Sequence, residues 1–492
     1  MSAFVEGRKQ MIRINSLIKK AIGYYRKSST ITKASLCFIL VTVIDNGITL
    51  ITQPIINRIL STAEVGLYGS FNSWESIIRV IASFYLYCGV LEVLITKEKE
   101  DKNQAIGSLC VLSLLITLLC FGVIFLLIRP ATEIMGLKPI YILVMGVTIA
   151  AGSVNEFWFV PKRFEYAYKP YAILGVSLFF VKSVLSIILA YVLEDRVLGR
   201  MLGLCIPSLI AAIVLLIYIL KRTEFSCVTK YWKRAILFNL PLIPHYLSSV
   251  LLSSSDRIMI QHLDGSSNAG LYTVAYSFAS LTLVVFSAVN SAYTPFAYGA
   301  IRDQKYEELS KRTNSIMAFS VLFALCLVLL APEGLYILGG SNYLAALDII
   351  PVLIVGIFFS SFYFIFSNVE YIYEKTTYVF PITLIGAGVN ILLNWLLIPS
   401  IGFKAAAYTT LIGYVIIAAA HYAVSLFILK KNIYSMPTVL ALLTLLMGVS
   451  ALALLLYKAH FLIRYLFIVL LLAALLLMIL KKKDLFVKKD KE

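Results

Sequence analysis

A chain of 492 residues that is 60% hydrophobic and only 14% charged, with a mean hydropathy of +0.89, does not have the composition of a soluble globular protein, where apolar residues are roughly 45–50% and charged ones roughly 25%. The net charge of +17 does not point to nucleic acid, because the basic residues sit in short connections and tails between apolar runs, where they orient a membrane protein. The seven cysteines (Cys37, Cys88, Cys110, Cys120, Cys205, Cys227 and Cys326) show no CxxC or CxxH spacing, so neither a disulfide framework nor a zinc site is expected.

Residues 1–32 are basic and lack the compact apolar core of a cleavable signal peptide. Ile12, Leu17, Ile18, Ala21, Ile22 and Tyr25 share one helical face, with Lys19, Lys20, Arg26 and Lys27 on the rest. This predicts an amphipathic segment lying on the inner leaflet. A membrane span needs roughly 20 apolar residues. Runs of that kind lie near 34–58, 68–95, 105–128, 139–160, 170–193, 198–220, 235–262, 270–297, 313–339, 346–373, 377–399, 403–429, 436–457 and 461–480. The prediction is therefore an all-α polytopic membrane protein of about fourteen spans.

The first six spans form an expected N-lobe over 33–222 and the next six a C-lobe over 231–430. Two peripheral helices follow within 435–480, then a basic cytoplasmic tail over 481–492. With the N-terminus in the cytoplasm, most of the 43 lysines and arginines fall on the cytoplasmic side, which predicts that both termini are cytoplasmic. The external loops are too short to hold a folded domain.

The halves repeat. Arg58-Ile-Leu-Ser-Thr-Ala-Glu-Val-Gly66-Leu67-Tyr68 matches His262-Leu-Asp-Gly-Ser-Ser-Asn-Ala-Gly270-Leu271-Tyr272, and Arg129-Pro130 running to Gly136 echoes Ala331-Pro332 running to Gly339 at nearly the same offset. Six spans is an even number, so the halves share one topology and a parallel pseudo-twofold along the membrane normal is expected. The transport path then lies between the lobes.

Ser255-Asp256-Arg257-Ile-Met-Ile260 with Ala269-Gly270-Leu271-Tyr272-Thr-Val-Ala275, and Asn390-Ile-Leu-Leu-Asn394-Trp-Leu-Leu-Ile-Pro399 with Gly402, Ala405-Ala406-Ala407 and Thr409-Thr410, resemble the polysaccharide transporter family. Its superfamily also holds multidrug extruders and the lipid II flippase. The resemblance covers about residues 30–430. It implies a cell-membrane flippase that moves undecaprenyl-diphosphate-linked oligosaccharide repeat units for capsule or O-antigen from the inner to the outer leaflet, without an enzyme cofactor. The implied partners are that lipid-linked oligosaccharide, membrane lipids and other polysaccharide-assembly membrane proteins.

Ionisable groups inside a bilayer are expensive and usually face a cavity or a partner. The candidates are Asp45, Glu75, Arg79, Glu92, Glu156, Lys182, His245, Asp256, Arg257 and Glu370. Guanidinium suits the oxygens of a diphosphate, so Arg79 and Arg257, with Lys182 and His245, are the expected substrate-binding lining. The other reading of Arg79 is pairing with Glu75, four residues away on one helix face. Pro241 and Pro244 predict a broken helix beside His245. The tyrosines and tryptophans Tyr68, Trp74, Trp158, Tyr272 and Tyr276 are candidates for stacking on sugars.

Asn390 and Asn394 share a helix face. With Thr410 and Asp256 they resemble the sodium site of the lipid II flippase, except that Asn394 stands where that pattern has an acid. The resemblance implies Na+ or H+ as a coupling ion, and interhelical hydrogen bonding is the other reading of the same residues. A multidrug extruder of the same superfamily is the competing function. A membrane-embedded polymerase or ligase is disfavoured, because no DxD, HExxH, G-x-S-x-G or phosphate-binding glycine loop occurs. Nothing in the sequence resembles a carbonyl-lined channel filter.

Overall fold

The computed structural model describes residues 29–97, 101–224, 229–373, 375–430 and 433–481. The expected amphipathic N-terminal segment and the basic tail fall almost wholly outside the described residues, as does Cys227. Among the described residues there is no strand. In lipid every backbone N–H and C=O must be satisfied within its own segment, and the helix does this.

The first half contains α1 (Thr30–Ile59), α2 (Thr62–Ala82), α3 (Val90–Lys97), α4 (Lys102–Leu126), α5 (Ile128–Met135), α6 (Pro139–Phe164), α7 (Tyr168–Val192) and α8 (Arg196–Leu220). The second half contains α9 (Trp232–Asn239), α10 (Ile243–Leu263), α11 (Ser266–Ala279), α12 (Leu281–Arg302), α13 (Tyr306–Leu329), α14 (Ala331–Gly339), a tight turn of helix at Ser341–Ile349, α15 (Ile350–Ile372), α16 (Val379–Ile401) and α17 (Lys404–Ala423). Two more, α18 (Met436–Leu456) and α19 (Phe461–Lys481), complete the chain. The short helices α5 and α14 occupy the positions of the second sequence echo, and each ends at a glycine with positive φ, Gly136 at 62° and Gly340 at 87°.

Among the described residues, eleven helical stretches are long and apolar enough to cross a membrane, or twelve if the bent pair α9–α10 counts as one span. The two other expected spans differ for identifiable reasons. The run near 68–95 is not one helix. α2 stops at Ala82, and the chain turns through Phe84 and Tyr85, both with positive φ, and Gly89 before resuming as α3. The last expected span is present as α19, of which Phe461–Ala474 forms the apolar stretch. The prolines near His245 mark a real break, and the axes of α9 and α10 differ by 59°.

In the first half α7 and α6 pack on α8, α1 on α7, and α4 on α6. In the second, α15 and α16 pack on α17, α10 on α16, and α12 on α15. The lobes meet where α2 packs along α10 and α11. At that crossing Gly66 and Gly270, the glycines of the repeated triplet, face one another. A Cβ on Gly66 would lie 1.8 Å from the Ser266 carbonyl oxygen, and one on Gly270 would lie 1.9 Å from that of Thr62. Small residues allow this backbone-to-backbone approach.

Around the same end, Asn57 donates to the Leu338 carbonyl at 2.9 Å and Arg58 to those of Ile337 and Tyr336. At the opposite end the two helix breaks clasp. The amide of Asn239 donates to the Phe84 and Tyr85 carbonyls at 2.9 and 3.0 Å, and Tyr85 stacks on Tyr246. α9 buries Ala235 with Leu86, Leu91 and Ala105 of the first half, so the break at 240–242 joins a segment packed on one lobe to a helix packed in the other. α18 and α19 are not simply lipid-facing. Both pack on α13, and Arg464 of α19 pairs with Glu333 of α14.

Candidate functional site

Neighbouring residues on a helix point about 100° apart, and α10 uses this at Asp256 and Arg257. Asp256 turns into the C-lobe and is fully buried. One carboxylate oxygen accepts from the Asn394 amide at 2.6 Å. The other accepts from the Tyr272 and Thr410 hydroxyls, each at 2.6 Å. Asn390 completes the cluster at 3.4 Å from Thr409, Thr410 and Ser255, while Thr409 donates to the Asn394 carbonyl oxygen. Asp256, Asn390, Asn394 and Thr410 are thus brought together. Their oxygens are of the type a hard cation takes, yet here the Asn394, Tyr272 and Thr410 donors aim at the carboxylate and the others at one another. In this conformation the cluster is a closed hydrogen-bond knot tying α10, α11, α16 and α17.

Arg257 turns the other way, into a polar cleft of about 250 Å³ between the lobes. Its guanidinium donates to the Ser253 carbonyl at 2.9 Å and lies 4.3 Å from the centre of the Tyr276 ring. Arg200 of α8 enters the same cleft, 3.7 Å above the Tyr68 ring, with Nη1 buried and unpartnered. Gln53, Asn72, Ser73, Ser76, Ser254 and Thr273 supply most of the polar remainder, and among the described residues no acid lines the cleft. Among the described residues neither arginine has a carboxylate partner.

The expected single basic lining is divided. Arg79 and Lys182 line a different cavity, of about 180 Å³, inside the N-lobe with Glu156, Arg163 and Asn155. There Arg79 is paired with Glu75, so its charge is already met by the i,i+4 neighbour. Lys182 has no carboxylate within ion-pair distance among the described residues. His245 lines neither cavity and faces Thr383 at 3.3 Å. Of the aromatic candidates, Tyr272 is sealed against Asp256, and Tyr68 and Tyr276 lie beneath the two cleft arginines. These three tyrosines are buried and each engages a charged side chain.

The sequence reading missed Arg200, Tyr272 as a ligand of Asp256, Thr409, and His421. Arg200 stands two residues inside the expected span 198–220, next to the loop that precedes it. Thr409 adjoins Thr410. His421 is a lone histidine in an apolar run, with no local pattern to mark it.

A family model described as polysaccharide biosynthesis protein matches residues 31–297, more than half of the chain. The chain belongs to that family, the polysaccharide transporters. A second model, MatE, matches residues 241–396. Lsg locus putative protein 1 of Haemophilus influenzae is 25% identical over 213 residues, 42% of this chain and 53% of that protein. The chain therefore spans about half the length of that relative. Capsular polysaccharide biosynthesis protein CapF of Staphylococcus aureus is 22% identical over 386 residues, covering 75% of this chain and 92% of that protein. The structure of the lipid II flippase MurJ in an inward closed conformation aligns with a TM-score of 0.67 at 14% identity, covering 92% of this chain and 100% of that one. At that identity the likeness establishes the fold. This polysaccharide transporter family member is a multi-pass helical membrane protein with the fold of the lipid II flippase structure.

Proposed function

We propose that this transporter carries undecaprenyl-diphosphate-linked oligosaccharide units across the cytoplasmic membrane, from the inner to the outer leaflet, by alternating access. The observation that carries this reading is the interlobe cleft, where Arg200 and Arg257 stand free of carboxylates among polar side chains. A diphosphate head brings about two negative charges and oxygens matched to guanidinium forks. A cleft of about 250 Å³ is below the roughly 300–1,000 Å³ of ordinary ligand pockets. It accepts a diphosphate but not a sugar chain, so the lobes must part to admit the whole head group while the prenyl tail stays in lipid.

Both termini are cytoplasmic in this reading, which puts the Gly66–Gly270 crossing at the outer face and the Asn239 clasp at the inner one. Sodium or a proton at Asp256 is the coupling ion carried over from the flippase resemblance. A sodium ion there requires the Asn394 amide to turn its oxygen toward the carboxylate. Other polysaccharide-assembly membrane proteins are the expected neighbours. A drug extruder for cationic compounds is disfavoured by the absence of acids from the cleft.

The test is complementation in cells lacking a repeat-unit flippase of matching glycan, following surface polysaccharide and the lipid-linked intermediate together. The wild-type chain should restore the first and clear the second, and Arg200→Ala with Arg257→Ala should undo both. Export by the double variant at the wild-type level refutes the cleft's role.

A further inference from the structure

The C-lobe contains a second ionisable site, separate from the Asp256 knot. Glu370 near the end of α15 and His421 near the end of α17 are both fully buried, with His421 Nδ1 at 2.7 Å from Glu370 Oε1. Their outer atoms, Glu370 Oε2 and His421 Nε2, are buried and have no hydrogen-bond partner. The contrast with Asp256 is sharp, since each Asp256 oxygen accepts at least one close donor. A tie serving only to hold two helices together is expected to be fully satisfied, because an unpaired buried polar atom weakens it. Here each partner keeps one free valence on a titratable group.

The groups facing the pair are mostly tyrosine hydroxyls. They are Tyr363 of α15, whose ring centre lies 5.1 Å from that of His421, its neighbour Tyr371, and Tyr434 before α18, which donates to the Ile365 carbonyl, with Tyr293 of α12 behind it. The other cationisable group on a neighbouring element is His245 of α10, which faces Thr383 of α16 at 3.3 Å. Among the described residues His421 is the only ion-pair partner of Glu370.

We propose that Glu370 and His421 form a proton-binding site whose loading and release accompany the movement of α10 between the two states of the transporter. The inference rests on the alternating-access reading. The loaded pair is a carboxylate beside an imidazolium and is neutral overall. Release removes one proton from His421 Nε2, the unpartnered nitrogen, and leaves a net negative charge in an apolar surround. That state is tolerable only when water or a donor reaches the pair. α10 is the element placed to admit it, since it packs against α17, which carries His421, and starts directly after the 59° bend.

The experiment uses the full chain, purified and reconstituted in liposomes with histidine ¹⁵N-labelled, and records pH-difference infrared spectra between roughly pH 5 and 9. The chain has only four histidines, so the imidazolium bands can be assigned by single substitutions. The expected result is a titrating imidazolium band, coupled to a carboxylate shift, that is present in the wild type and in Asp256→Asn. It should be absent from His421→Gln and displaced in Glu370→Gln. Spin labels across the lobes should show a distance distribution that changes with pH in the wild type and not in Glu370→Gln. Superposable spectra of wild type and His421→Gln overturn the proposal, as does a pH-independent label distance in the wild type. Thermal unfolding identifies a variant that does not fold, and the wild-type titration then decides alone. No glycan enters these measurements, so they stand or fall separately from the export test.

Discussion

Replacing Gly66 by alanine should force the lobes apart at the crossing of α2 and α11. The added Cβ would lie 1.8 Å from the Ser266 carbonyl oxygen, 2.9 Å from its carbon and 2.7 Å from the Gly270 nitrogen. All three atoms are backbone, so no side-chain rotation relieves the clash. Restoring ordinary contact near 3.4 Å moves one helix by on the order of 1.5 Å, and overpacking of this kind costs about 1–3 kcal/mol. A penalty confined to the conformation with the helices touching shifts the equilibrium toward the parted one by about 5- to 150-fold. Spin labels at the exposed positions Glu133 and Ser267, one on each lobe at this end, read the shift by pulsed electron resonance. The variant should show a second, longer population absent from the wild type. Gly270→Ala should do the same, and the double variant should add little, because both methyl groups contest one crossing. An unchanged distance distribution in a folded Gly66→Ala protein would refute the claim that this contact closes the lobes.

The Asp256 knot gives a graded prediction. Asp256→Ala strands the Asn394, Tyr272 and Thr410 donors at about 1–3 kcal/mol for each buried group left unpaired, so the melting temperature should fall steeply, whereas Asp256→Asn should retain most of the stability. A melting temperature for Asp256→Ala equal to the wild type would show that the knot does not hold the lobe. At the lobe surface, burial pushes the Asp195 carboxyl up, but hydrogen bonds from Lys138, the Leu198 amide and Tyr141 hold it below the usual carboxylate range. Its stabilising effect is therefore complete above the ordinary carboxylate pKa of about 3.9 and is lost as pH falls through the lowered value. Asp195→Ala should lose about 0.5–2 kcal/mol at neutral pH as a helix cap, and the gap from wild type in thermal melts should close below about pH 4.

What the sequence made legible follows the range of each interaction. Apolar runs, the prolines around His245 and the Gly-Leu-Tyr repeat are local, and they anticipate the helices, the bend and the glycine crossing. The i,i+4 pair Glu75–Arg79 and the Asn390–Asn394 face are also local, and both side-chain groupings occur in the structure. The break after Ala82 was not legible. The carbonyls of Phe84 and Tyr85 leave the helix for a donor, Asn239, that lies 155 residues away along the chain. The division of the cations between two cavities was hidden for the same reason. Whether Arg79 and Arg257 share a space depends on where α2 turns its face relative to α10, and hydropathy carries no information on that rotation.

The distribution of charge also ties the Asp256 knot to the cleft. The lobes are built on one repeat but differ in where they put titratable groups. The N-lobe supplies Arg200 to the cleft, while the C-lobe seals its acids Asp256 and Glu370 away from it. α10 spans both regimes, with Asp256 in the knot and Arg257 in the cleft as adjacent residues. A helix is stiff over one turn, so a movement of the α10 backbone that draws Asp256 away from Asn394 or Thr410 carries Arg257 with it. Binding at the cleft and a change in the knot are then two loads on one lever. Linkage requires that whatever the knot does to cleft affinity, occupancy of the cleft does in equal measure to the knot.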